Sequence, residues 1–202
     1  MCPVDSLAHL GDLSSVFGML WRFLPLVDPQ VSVMVSRDLD SRLTAREQAA
    51  VEDWLETGLT FHVMRDNPHH GTAILGGMWG ARLDTGDRSL MTEAMLQLID
   101  QVRFAEASMG NDCFYFQSKG KEWVKGMDQG QLESFLWPVV SKISCVHDSY
   151  FCQSFQSQNW RPFPTQRTEG AYNFVGAAGP MEIKTECPEA CRPEDHPDWT
   201  LC

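Results

Sequence analysis

The sequence is short of positive charge and has no long apolar run, and each shortage removes a class of function. Against 27 Asp and Glu stand 16 Lys and Arg, a formal charge of −11, which argues against a nucleic-acid binder, since those carry a basic face to neutralise phosphates. No stretch approaches the roughly 20 apolar residues needed to cross a bilayer. The N-terminal "MCPVDSLAHLGDL" lacks the basic and apolar regions of a signal peptide. Internal repeats and low-complexity tracts are missing, which removes solenoids and disordered linkers. Neither a nucleophile elbow nor a phosphate-binding P-loop occurs.

What is present suits a packed core. The 202 residues are 43% hydrophobic and include 7 Trp and 11 Phe, and a domain of this length buries roughly 70% of its unfolded-chain surface. Cys187, Cys191 and Cys202 crowd the C-terminal end beside several prolines, a usage typical of oxidised proteins and compatible with the lumen of the secretory pathway. Disulfides there, drawing also on Cys145 or Cys152, are one reading. The rival is a structural zinc module, because Cys187, Cys191, His196 and Cys202 come close to zinc-knuckle spacing.

Periodicity predicts alternating strands and helices. Leu13, Val16, Phe17, Leu20, Trp21 and Leu24 recur at helical spacing over 12–24, and Pro25 ends that helix. Val31, Val33 and Val35 alternate with Ser32, Met34 and Ser36, the period of a strand. Thr44 and Glu47 form a capping box for a helix carrying Ala50, Val51, Trp54 and Leu55, and Gly58 stops it. "FHVMRD" (61–66) is a strand and "NPHHG" an exposed turn, while "AILGGMWGA" has too many glycines for a helix and reads as a loop. A helix over 88–107, a polar connection over 111–127, a helix from Asp128 that stops before Pro138, and a strand in "KISCVHD" follow. The class is α/β, with a core over 1–152 and an irregular Cys- and Pro-rich extension over 153–202 packed on it.

The chemistry concentrates in "SRDLDSRLTARE" (36–47), directly behind the first strand. In an extended segment, residues two apart point the same way, so Asp38 and Asp40 can present both carboxylates to one point. Hard oxygens suit Mg2+ or Mn2+ bridging two phosphates, where the ion orients and neutralises a diphosphate leaving group. Arg37 and Arg42 could grip diphosphate oxygens or instead pair with Asp38, Asp40 or Glu47. Arg65 and Asp66 read as an internal ion pair. Two carboxylates this close cannot straddle a glycosidic bond at the roughly 5 to 9 Å that glycosidases use.

The stretch "MLWRFLPLVDPQVSVMVSRDLDSRL" resembles the helix, strand and Asp-x-Asp motif of nucleotide-sugar-dependent glycosyltransferases of the GT-A fold. Together with "HVMRDNPHHGTAILGGMWG", "DQGQLESFLWP" and "HDSYFC", it is similar to a group of such enzymes over about residues 19–202. The resemblance implies a three-layer, partial GT-A domain and a metal-dependent transferase that uses a nucleotide-sugar donor and a glycan, protein or small-molecule acceptor. It implies that Asp38 and Asp40 bind the metal with His147 as a third ligand, which would favour manganese. It also implies that Gly76 and Gly77 leave room beside the donor sugar, and that Asp128 and Gln129 touch sugar hydroxyls.

Each assignment has a plainer alternative: Asp128 as a helix N-cap, and His147 as a buried histidine bonded to backbone. The family also places a longer run of strands and helices before the motif, to hold base and ribose. Its absence would bare an apolar sheet edge and allows a noncatalytic remnant that serves as a binding or scaffold domain.

Overall fold

A computed structural model of the chain describes residues 10, 11, 13, 16–107, 126–155 and 159–202. The predicted polar connection over 111–127 falls almost wholly outside the described residues.

The alternation after residue 30 becomes β1 (Val33–Arg37). Met34 and Ser36 are its buried residues, whereas Val33 and Val35 remain 43% and 38% exposed. The period is therefore that of a strand, and the valines take the less protected face. β2 (Phe61–Arg65) is buried at every position. Between them in space lies β3 (Met78–Arg82), which corrects the reading of "AILGGMWGA" as a loop throughout. A Cβ at Gly80 would stand 2.9 Å from the Met34 carbonyl oxygen and 3.2 Å from the Trp54 ring. The glycine thus permits close packing inside a strand, one of the few reasons to place one there.

β4 (Ser144–Asp148) and β5 (Trp160–Arg161) complete a five-stranded sheet of order β1-β3-β2-β4-β5. β3 is antiparallel to both neighbours, while β4 runs parallel to β2 and β5 parallel to β4. Four strands consequently point the same way, so the carboxyl ends of β1, β2 and β4 share one edge with the start of β3.

Helices cover both faces. α1 (Ala45–Thr57) begins where Glu47 N donates to Thr44 Oγ1 at 3.1 Å and ends at Gly58, whose φ of +74° suits a residue without a Cβ. The capping box is only half made, because the Glu47 carboxylate takes Arg37 Nε at 2.6 Å instead. Burial pushes the Glu47 carboxyl up, with Arg37 opposing. α2 (Arg88–Ala107) lies on the other face and buries Met91, Ala94, Met95, Leu98 and Val102, the stripe its periodicity predicts. A 3-10 helix (Gly18–Val27) packs beside it.

Both prolines expected to stop helices sit inside helical segments. The 3-10 helix runs through Pro25, and Asp28 N donates to the Pro25 carbonyl. α3 (Met127–Gln131) continues as a π-helical turn (Leu132–Leu136) into α4 (Trp137–Val140), which holds Pro138 at its start. The π turn breaks the α-helical ladder just where proline has no N–H to contribute. One core gathers Phe23, Phe61, Trp79, Met95 and Val146 on the α2 face, and another joins Ala50, Met64, Met78, Phe163 and Val175 on the α1 face.

The C-terminal segment contributes β5 and buries Phe163, Phe174, Val175 and Ala177. Disulfides Cys152–Cys191 and Cys187–Cys202 fasten it, which corrects the zinc-module reading, since its three sulfur ligands are consumed. His196 instead stacks on Trp199 with ring centroids 4.1 Å apart. An oxidising environment permits such bonds. Among the described residues, no helix is long and apolar enough to cross a membrane.

Buried Asp66 holds this assembly together. Its carboxylate accepts from Arg46 (2.8 and 2.9 Å), Arg167 (2.7 Å), Ser149 Oγ (2.7 Å) and Val175 N (2.9 Å). Arg65 and Asp66 do not pair with each other as expected, since neighbours in an extended segment point to opposite faces. Arg65 reaches Asp148 at 2.7 Å instead. Burial alone would raise the Asp66 pKa, yet Arg46 and Arg167 pull it down to about 2. A carboxylate depressed on folding stabilises above its unfolded value and loses that contribution as pH falls. Stability should therefore decline from about pH 4 towards pH 2, by about 2–3 kcal/mol from this group, and Asp66→Asn should flatten that limb in acid-denaturation curves. At pH 7 the same substitution should cost about 3–5 kcal/mol by leaving two guanidiniums buried without their counter-charge.

Candidate functional site

The strand-end edge brings together residues from distant parts of the chain. Asp38 follows β1, Gly76 and Gly77 lead into β3, and Asp128 stands in the first turn of α3. Arg22, from the 3-10 helix, donates Nη1 to Asp38 and Nη2 to Asp128. The Asp128 side chain is 2% exposed and that of Asp38 49%, so one end of this clamp is sealed and the other faces water.

The glycines make the clamp possible. A Cβ on Gly77 would lie 2.5 Å from the Asp38 carboxylate, and one on Gly76 would collide with Arg22 Nη2 and stand 2.8 Å from Asp128 Oδ2. Their missing side chains make room for these neighbours. Ser36 Oγ donates to the Gly76 carbonyl at 2.8 Å and Arg37 Nη1 to that of Gly77, which pins the loop to β1.

The other expected residues divide. Asp40 is exposed and, among the described residues, makes no hydrogen bond or ion pair. Gln129 is half-buried beside Asp128. The N-cap alternative for Asp128 does not hold, because Gly126 occupies the cap position. Arg37 is taken up by Glu47 and Gly77. Arg42 lies over the Tyr172 ring, 3.9 Å from its centroid, and its amide donates to the Ala177 carbonyl. Of the turn histidines, His69 is exposed, whereas His70 is partly sheltered and accepts from Asp66 N at 3.3 Å; burial lowers its pKa to about 4.

His147 does not join Asp38 and Asp40, which corrects its expected role as their third ligand. It points to the α1 face of the sheet, with Nε2 3.0 Å from Asp53 and Nδ1 2.8 Å from His62 Nε2. Asp38 instead leaves β1 toward the face that carries Arg22. Neither is His147 bonded to backbone, the plainer alternative. His62, Cys145 and His147, all buried, bring their ligand atoms within 4.8 Å of one another and could hold a metal. Desolvation lowers the pKa of both histidines, His62 strongly, so both are neutral at pH 7 and the His147 ring N–H donates to a carboxylate. The hydrogen bond to His147 in turn holds the Asp53 pKa down, against partial desolvation. Burial pushes the Cys145 thiol up to about 12, which makes it a poor nucleophile without a metal. A pocket of about 200 Å³ adjoins this cluster, lined by Thr57, Leu59, Cys145, Asn159, Trp160 and Arg161.

No protein-family model, curated protein or solved structure matches the chain. Arg22 belongs to no motif, and its signal in the sequence is a lone charge within the apolar "LWRFL". Arg22→Met should cost about 2 kcal/mol or more by stranding the buried Asp128 carboxylate. Adding Asp128→Asn should recover part of that loss in a double-mutant cycle read by denaturant melts.

Proposed function

We propose that the chain is a metal-dependent glycosyltransferase domain of the GT-A type, which transfers a sugar from a nucleotide-sugar donor to an acceptor. The observation that supports this reading is the convergence of Asp38, Gly76, Gly77 and Asp128 around Arg22, at the carboxyl ends of parallel strands, where open α/β sheets bind ligands.

The donor set suits a hard cation. Asp38 is half exposed and Asp40 is unpaired among the described residues, and carboxylates of this kind hold Mg2+ or Mn2+ together with substrate phosphates and water. The ion would supply Lewis-acid neutralisation of the departing diphosphate. Arg22 would add a fixed positive charge beside Asp38, ready to meet phosphate oxygens as a planar fork. Asp128 and Gln129 would orient sugar hydroxyls, with Asp128 held rigid by Arg22. The disulfides fit a lumenal location for such an enzyme.

A second reading, a noncatalytic remnant, draws on two features. Arg22 already neutralises Asp38, and β1 is an edge strand with Val33 and Val35 exposed. The readings separate by ligand linkage. Mn2+ with a nucleoside diphosphate at 100 times its dissociation constant should stabilise a transferase by about 2.7 kcal/mol. Asp40→Asn should abolish that shift and metal-dependent donor hydrolysis while leaving the ligand-free melting temperature unchanged. An absence of any shift at millimolar ligand would favour the remnant.

A further inference from the structure

The α1 face of the sheet carries chemistry that sugar transfer does not use. His62 on β2 pairs in register with Cys145 on β4, and His147 follows Cys145 on the same face. His147 Nδ1 lies 2.8 Å from His62 Nε2 and 4.0 Å from Cys145 Sγ, all fully buried. Polar groups so deep in a core need a purpose, since apolar side chains would pack there at less desolvation cost. The rings are also tightly oriented. His62 stacks on Trp54 with centroids 4.9 Å apart, while Asp53 Oδ2 fixes His147 through Nε2 and is itself held by Arg161 at 2.6 Å. His62 Nδ1 has no hydrogen-bond partner among the described residues.

We propose that His62 Nε2, His147 Nδ1 and Cys145 Sγ form a zinc site whose fourth position is filled by water from the adjoining pocket. Two imidazoles and a thiolate are the borderline and soft donors that select zinc over magnesium or manganese. Zinc ligands at about 2.0–2.3 Å stand roughly 3.3–3.6 Å apart in a tetrahedron. The nitrogens therefore separate slightly, and the sulfur closes in, when the ion enters. Asp53 completes the carboxylate–histidine–metal arrangement that fixes the tautomer of a ligating ring. Cys145 lines that pocket, which would provide the route of entry.

The protons balance. Without the ion, His147 Nε2–H donates to Asp53, and His62 Nε2–H donates to His147 Nδ1. On binding, the His62 proton moves to Nδ1, the thiol proton leaves to solvent, and both nitrogens and the sulfur turn their lone pairs to the metal. The site is independent of the strand-end clamp and of the proposal made for it.

Cobalt is the probe, because thiolate ligation gives it a charge-transfer absorption that carboxylates do not. The full chain, unreduced so that its disulfides persist, would carry Cys2→Ser, Cys113→Ser, Asp38→Asn and Asp40→Asn. These changes leave Cys145 as the free thiol and remove the carboxylate pair. After chelation and dialysis, Co2+ titration should show one equivalent bound with the charge-transfer band, displaced by Zn2+. Cys145→Ser should remove the band, and Asp53→Asn, which leaves all three ligands in place, should weaken binding about tenfold to hundredfold. Circular dichroism checks that each variant folds. A folded parent without the band overturns the site, as does an unaltered band in Cys145→Ser.

Discussion

The structure depends on one buried carboxylate. Asp66, at the end of β2, is where α1, the turn after β4 and the C-terminal segment meet, through Arg46, Ser149, Arg167 and the Val175 amide. Taking a carboxylate out of water is costly, and only dense hydrogen bonding to opposite charge offsets it. The same guanidiniums lie against aromatic rings, Arg46 over Phe163 and Arg167 over Tyr150. Each is thus both a counter-ion and a packing surface. The arrangement leaves the strand ends little freedom, and the Arg22 clamp is built on those ends.

The sheet separates two kinds of chemistry. Its carboxyl edge collects oxygen donors and a guanidinium, half open to water, around glycines that let them approach. Its α1 face collects imidazole and thiol away from water, beside a pocket. Alternation along a strand makes the division automatic, because Cys145 and His147 project to one side and Val146, in the main core, to the other. A histidine that looks like a partner for Asp38 in the sequence is therefore committed to the opposite side.

Much of the local architecture was legible in the sequence. Thr44 and Gly58 bound α1 as their types require, and the apolar stripe of α2 is the one its spacing predicts. Asp38, Gly76, Gly77 and Asp128 stand out in the sequence and lie together around Arg22, whereas His147 lies beside Asp53. Features that local patterning does not reveal have physical reasons. β3 was hidden because Gly80 looks like a loop residue until Trp54 and the Met34 carbonyl are packed against it. Pro25 and Pro138 read as stops because proline disfavours the α-helix, whereas 3-10 and π turns accommodate them. Arg22 offered no motif, and its importance comes from two acids far along the chain.

By itself, then, the sequence determined the acidic surface, the α/β class, the caps of α1 and the residue types available for binding, because these follow from composition and from neighbours within a turn or a strand. Tertiary structure alone decided which acids share Arg22, which face receives His147, and which cysteines pair. Those outcomes join residues up to 106 positions apart. Their energies arise only once the sheet has closed those loops and withdrawn the charges from water.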